Sequence, residues 1–158
     1  SKIAVLGGPA TSYPSMMRRQ GAQQAMEDAG IPFSDKLYGL SNYDFESAYH
    51  AMNSLLARRA DFTALFAMSD VIALGAIRAL VSAGLRVPED VSVIGFDGTS
   101  LAEYYNPKLA TIKQQHQTLA NRSIEILFGQ IELNKEPIHE IVPFEFVNGE
   151  SIRVIDER

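Results

Sequence analysis

The sequence predicts an α/β fold, an open and mostly parallel sheet flanked by helices. Short β-rich apolar runs alternate with longer segments whose apolar residues recur every three or four positions, the pattern of right-handed βαβ units. At 158 residues and 46% apolar content, the chain is long enough for one domain with a proper core. Four of the apolar runs end in polar residues, which in such a sheet gather on one rim.

"KIAVLGG" (2–8) is the first strand. Ser12 can cap and Pro14 can open a helix to Ala29, with Met17, Ala22, Ala25, Met26 and Ala29 inward, and Gly30 followed by Pro32 stops it. "KLYGL" (36–40) is a short second strand. Asp44 caps a helix whose Phe45, Ala48, Tyr49, Met52, Leu55 and Leu56 keep the helical spacing, ended by Arg58 and Arg59 near its negative pole. "TALFA" (63–67) is the third strand, and Ser69 caps a helix carrying Val71, Leu74, Ile77, Leu80 and Val81, closed by Gly84 and Pro88. "VSVIGF" (91–96) is the fourth strand, and the polar turn behind it runs into a further strand-like piece, "LATIKQ". A last helix runs from Gln115 to about Ile131, with Leu119, Ala120, Ile124, Leu127, Phe128 and Ile131 on one stripe. The polar turn "ELNKEP" leads to "HEIVPFEFV" (139–147), where Pro143 cannot donate to a ladder and so marks an edge strand or a bulge. "SIRVI" (151–155) reads as one more short strand after the Asn148-Gly149 turn.

A net charge of -5 gives little pull toward phosphate backbones, so this segment is not expected to grip DNA or an anionic membrane itself. Zero cysteines exclude disulfides, thiolate metal sites and cysteine nucleophiles, and fit both cytosol and periplasm. No apolar run approaches the roughly 20 residues that span a bilayer, and "SKIAVLGG" reads as a strand rather than an export signal. The chain as given is expected to be cytosolic or trimmed.

Ligands of an open parallel sheet bind outside the carboxyl ends of its strands. The tips here are "GGPATSYPSMMR", "SNYD", "MSD" and "FDGTS", which supply Arg18, Tyr43, Ser69, Asp70 and Asp97. A guanidinium, a carboxylate and an aromatic face together suit a neutral polyol such as a sugar. Each residue also has a plainer reading. Ser69 and Asp44 serve as N-caps, Asp70 suits a helix's first turn, Tyr43 can cover a helix end, Arg18 can pair with Asp97, and Asp97-Gly98 can be a turn.

"GGPATS" lacks the third glycine of a dinucleotide fingerprint and the Gly-Lys-Ser/Thr of a nucleotide-triphosphate loop. His50, His116 and His139 fall on three different elements without ligand spacing and read as surface or structural, so no metal site is expected. Neither a G-x-S-x-G elbow nor a carboxylate pair around an evident substrate is present, and no catalytic residue or cofactor is assigned.

At "ALFAMSDVIALGAIRALVSAGLRVPEDVSVIGFDGTS" followed by "PKLATIKQ", the sequence closely resembles the LacI/GalR family of bacterial transcription repressors, and the resemblance runs through essentially the whole chain. It implies an effector-binding core of two lobes with a periplasmic binding protein-like fold of type I. Before that core comes a helix-turn-helix head that binds operator DNA as a dimer in the cytoplasm. The chain is then expected to be a fragment of the effector-binding domain. Residues 1–106 and 137–158 would make the C-terminal lobe, and 107–136 the crossover and a helix belonging to the N-terminal lobe. The implied partners are a small-molecule effector, a sugar or sugar phosphate, a second copy in a homodimer, and operator DNA through the absent head; no membrane is involved.

Residue by residue, the resemblance places Arg18, in the "RRQG" that looks like the family's R-x-x-G, on the effector's hydroxyls. Ser69 stands where sugar-binding members often carry Asn before the Asp of "MSD". Asp97 in "GFDGT" is similar to the family's effector-binding acid, Phe96 lines the pocket, and Tyr43 in "NYD" falls near an aromatic that some relatives stack on the sugar ring. Ser for Asn shortens the reach and drops an amide donor, and Pro14 with Met16 makes the first loop more apolar. The rival classes are a periplasmic sugar-binding protein of a transport system, which an upstream export signal would favour, and a small enzyme using Asp97 and Arg18. The resemblance implies that the chain is not an enzyme.

Overall fold

A computed structural model describes residues 2–58, 61–133, 136 and 138–154. In chain order its elements are β1 (Ile3–Gly7), α1 (Tyr13–Asp28), β2 (Tyr38–Leu40) after a 3-10 turn, α2 (Phe45–Ala57), β3 (Ala64–Ala67), α3 (Asp70–Ser82), β4 (Ser92–Asp97), α4 (Ser100–Tyr104), β5 (Ala110–Gln114), α5 (His116–Leu133) and β6 (Phe144–Val147). The six strands form one sheet in the order β2-β1-β3-β4-β5-β6, parallel except for β6, which runs antiparallel to β5. The α/β class expected from the alternating periodicity is what the chain adopts.

Right-handed crossovers determine the sheet's two faces. The step from β1 out to β2 puts α1 on one face, and the steps from β2 back past β1 to β3, then β4, put α2 and α3 on the other. Against α2 and α3 the packing is complete. Ala4, Leu6, Leu65, Ala67 and Val93 meet Met52, Leu55, Ile72, Ile77 and Leu80, all at or near zero exposure. Burying a side chain of that size contributes about 1.5–3 kcal/mol, so this layer carries most of the stability. Gly75 lets α3 approach α2 closely, because a Cβ there would lie 2.5 Å from the Phe45 carbonyl oxygen.

Two of the three predicted helix caps form: the Asp44 carboxylate accepts from the Ser47 amide at 2.7 Å, and the Ser69 hydroxyl accepts from the Ile72 amide at 3.2 Å. Gly84, at φ +82°, follows the end of α3 in a conformation that favours glycine.

The α1 face differs from expectation. Of the residues assigned inward, Met26 is buried, but Met17 is 46% exposed and Ala25 and Ala29 are also exposed. Met17, Ala22, Ala25 and Met26 border an apolar groove of about 670 Å³ whose floor includes Val5, Phe66, Ile94 and Ile112, the opposite side chains of the strands that bury Leu6, Leu65 and Val93. The apolar pattern of α1 is that of a covered helix, and among the described residues α1 is the one helix lining this groove.

Ser12 stands at the N-cap of α1 without a side-chain cap bond. The short α4 was not anticipated in the polar turn after β4; five residues are too few to show a period. The long strand expected over 139–147 is shortened to Phe144–Val147, beginning just after Pro143 at the sheet's edge. Residues 151–154 are not a strand, although the Ser151 hydroxyl bonds Ala110 N and Val93 O at 2.8 and 2.6 Å. Ile155, Arg59 and part of "ELNKEP" lie outside the described residues. Sheet pairing continues through Gln114, which pairs with Phe144 of β6. The apolar stripe of α5 is open, with Ile124, Leu127, Phe128 and Ile131 at 48–71% exposure.

Candidate functional site

A sheet of order 2-1-3-4-5 reverses its winding between β1 and β3, so the loops leaving those two tips diverge and leave a crevice. Arg18, in the second turn of α1, reaches into it. Its Nη1 donates to the Met68 carbonyl at 2.5 Å, at the tip of β3. Its Nη2 donates to Asp97 Oδ1 at 3.1 Å, at the tip of β4. The guanidinium lies 3.9 Å over the Phe96 ring. One planar cation therefore ties two strand ends together, those of β3 and β4, with both charged side chains mostly out of solvent at 18% and 25% exposure.

Asp97 Oδ1 accepts a second bond from Gln114 Nε2 at 2.8 Å, and the Asp97 carbonyl lies 3.0 Å from His116 Nε2. Burial pushes the Asp97 carboxyl above its ordinary pKa; the neighbouring Asp70 pushes the same way, and the charge of Arg18 and the bonds from Gln114 and Arg18 oppose it. The backbone of Asp97 is held at φ +113°, a conformation that favours glycine and costs a side-chain-bearing residue on the order of 1–3 kcal/mol. Gly98 follows at φ +72°, where a Cβ would stand 2.4 Å from the Lys113 side chain. The Asp-Gly pair is thus a turn, and one that aims an acid at the rim under strain.

Tyr43 is also at positive φ, +60°. Its hydroxyl shares a 2.7 Å hydrogen bond with the buried Ser15, and its ring lies on Gly8, where a Cβ would come within 2.1 Å of it. Tyr43 therefore clamps the loop leaving β1 one helical turn ahead of Arg18. Ser69 is 4% exposed with its oxygen used as the cap of α3. Beside it, the fully buried Asp70 accepts from the Thr99 amide at 2.6 Å, the Thr99 hydroxyl at 2.9 Å and the Thr111 hydroxyl at 2.6 Å.

Arg18, Phe96 and Asp97 are in mutual contact, the tip carrying Ser69 is bonded to Arg18 through Met68, and Tyr43 joins the same rim through Ser15. The pairing of Arg18 with Asp97, weighed as a plain salt bridge, forms as well. Sequence reading missed Ser15, Gln114, Thr99 and Thr111; Asp70, a strand-tip candidate whose plainer reading is the helix dipole, is a buried acceptor for both threonines. Gln114 had a signal: it ends "LATIKQ", a fifth strand tip beside the four inspected. His116, expected at the surface or in a structural role, is an exposed side chain bonded to the backbone of Asp97. Among the described residues no cluster of three or more His, Asp or Glu is placed to hold a metal ion, and no helix is long and apolar enough to cross a membrane. The site offers N–H donors, carboxylate acceptors and an aromatic face, a set matched to hydroxyl groups.

Residues 1–152 match the family model of the periplasmic binding protein-like domain. The chain is 41% identical over 137 residues to the HTH-type transcriptional regulator MalR of Clostridium butyricum, covering 87% of this chain and 41% of that protein. Its backbone resembles that of a transcriptional regulator CelR in complex with cellobiose, with a TM-score of 0.91 at 31% identity over 95% of this chain and 46% of that one. It also resembles a sugar-binding transcriptional regulator of the LacI family from Escherichia coli in complex with phosphate, with a TM-score of 0.87 at 31% identity, covering 96% and 54% of the two chains. The chain spans less than half the length of the curated relative.

Proposed function

Because the chain belongs to the LacI/GalR family, through its periplasmic binding protein-like domain, we propose that it is one lobe of the effector-sensing core of a transcriptional repressor, and that its ligand is an uncharged sugar. The observation that carries the reading is the meeting of Arg18, Phe96 and Asp97 at the tips of β3 and β4, beside the crevice between β1 and β3. The relatives are regulators rather than transport proteins, which favours this reading over the transport one; they are also not enzymes.

Charge accounting selects among effectors. Two of the five Arg18 N–H donors are engaged by Met68 and Asp97, whose charge faces the guanidinium, and Arg19 is paired with Asp35 at 2.9 Å. A phosphate would have to compete with the Asp97 carboxylate for Arg18 and would sit against that negative charge, whereas a hydroxyl can donate to Asp97 and accept from Arg18. The chemistry of the rim favours a sugar over a sugar phosphate.

The uncovered groove beside α1 and the open stripe of α5 support a longer, two-lobed protein, since apolar surface of this extent is normally covered. In this reading β5 leads out of the lobe, α5 packs with the other lobe, and the final strands return. The effector bridges the lobes and favours one arrangement of them, by no more than its difference in affinity for the two states. A helix-turn-helix head reads that shift on operator DNA, as a homodimer in the cytoplasm.

The test is calorimetric titration of the full-length protein with maltose and with cellobiose. Arg18→Ala and Asp97→Ala should each weaken binding by more than about 1.5 kcal/mol, the size of a lost hydrogen bond to a charged group. Unchanged affinity in both variants removes these residues from the site.

A further inference from the structure

Asp70 is a carboxylate with no solvent exposure, and its three bonds reach two separate segments. Oδ2 accepts the amide and hydroxyl of Thr99, two residues beyond Asp97, and Oδ1 accepts the hydroxyl of Thr111 in β5. Room for it is made by Gly95 in β4, where a Cβ would stand 2.6 Å from Asp70 Oδ1. The helix dipole accounts for an acid at the start of α3, but it requires neither full burial nor donors from two other elements. A buried carboxylate is tolerated only with its acceptor sites filled, so displacing either threonine carries a large penalty.

Both segments held by Asp70 also hold Asp97. Thr99 anchors the far end of the strained Asp97-Gly98 turn. Thr111 anchors β5, whose last residue, Gln114, donates to Asp97 Oδ1. A closed circuit therefore runs from Asp70 through Thr99 to Asp97, across to Gln114, and back along β5 through Thr111.

We infer that Asp70 is a positioning residue for the binding rim: it couples the Asp97 turn to β5, so that displacement of Asp97 by a ligand is passed to the strand that leads into α5. This rests on the sensing role proposed above, but the coupling itself exists without any ligand. It can therefore be measured separately from effector binding.

The experiment is hydrogen exchange by mass spectrometry on the unliganded full-length protein. Thr111→Val removes one bond in β5 and should speed exchange at residues 97–99, on the other arm; Thr99→Val should speed exchange at 110–114; each effect should be about tenfold. Thr111→Ser, which keeps the hydroxyl, should restore the wild-type rates. Since β4 and β5 are also directly paired, Asp70→Asn separates the two routes: in that background the cross-effects should vanish. Should Asp70→Asn fail to fold, the comparison of Thr111→Val with Thr111→Ser still decides. Acceleration confined to the mutated segment, cross-effects that persist without Asp70, or failure of Thr111→Ser to restore protection would each overturn the inference. Loss of sugar binding in the Arg18 and Asp97 variants is read independently, so failure of the sensing role and failure of the coupling are distinguishable.

Discussion

Replacing Arg18 by Met keeps the stem of the side chain and removes the guanidinium. Three contacts go with it: the bond to the Met68 carbonyl, the ion pair with Asp97 and the stacking over Phe96. A charge-assisted bond contributes about 1.5–3 kcal/mol, a further bond to a carbonyl about 1, and an exposed cation–π contact about 0.5–1. The site is partly open at 18% and 25% side-chain exposure, which screens the charges and puts the expected loss near the lower sums, about 2–3 kcal/mol.

The loss should depend on pH. Asp97 has a raised pKa in the folded protein, so folding takes up a proton there. Its ionisation cost is fully present above the folded pKa, shrinks as pH falls through it, and is gone below the unfolded value. Without Arg18 the shift is larger, so the cost of Arg18→Met should diminish as pH falls through the raised folded pKa of Asp97, and Asp97→Asn should recover part of that cost in the double variant. Urea denaturation of the four proteins at neutral pH and at progressively lower pH measures this. A pH-independent penalty together with strict additivity would mean that Arg18 does not hold the Asp97 charge, and the electrostatic account of the rim would fail.

Gly75→Ala forces a methyl against the backbone of α2 and should cost about 1–3 kcal/mol, seen as a lowered melting temperature; an unchanged value would show that the α2–α3 approach is looser than described. Tyr43→Phe deletes only the bond to Ser15 and should cost about 1 kcal/mol in chemical denaturation, so a neutral result would leave the Tyr43 clamp to its ring alone. Leu80→Ala, at a position with no exposure, should cost about 2–5 kcal/mol; a smaller effect would contradict the tight packing of that layer.

Much of the site was legible because each rim residue follows its strand directly: once "TALFA" and "VSVIGF" are strands, Ser69 and Asp97 must lie near their tips. The caps at Asp44 and Ser69 were legible for the same local reason. Gln114 was legible only as the end of a strand-like piece and Thr111 not at all, since nothing local says that "LATIKQ" pairs with β4, and the buried role of Asp70 depends on that pairing. The exposed stripe on α1 misled in the other direction, because apolar spacing records that a face is made to be covered and not what covers it.

By itself, then, the order of residues determined the alternation of strands and helices, their caps and stops, and which side chains stand at strand ends. Those features depend on neighbours within a few positions. Only the tertiary structure decided that β3 lies beside β1, that Arg18 spans the tips of β3 and β4, and that Asp70 joins two distant segments. Such contacts depend on strand order and register, which chain-wide packing selects and no local window contains.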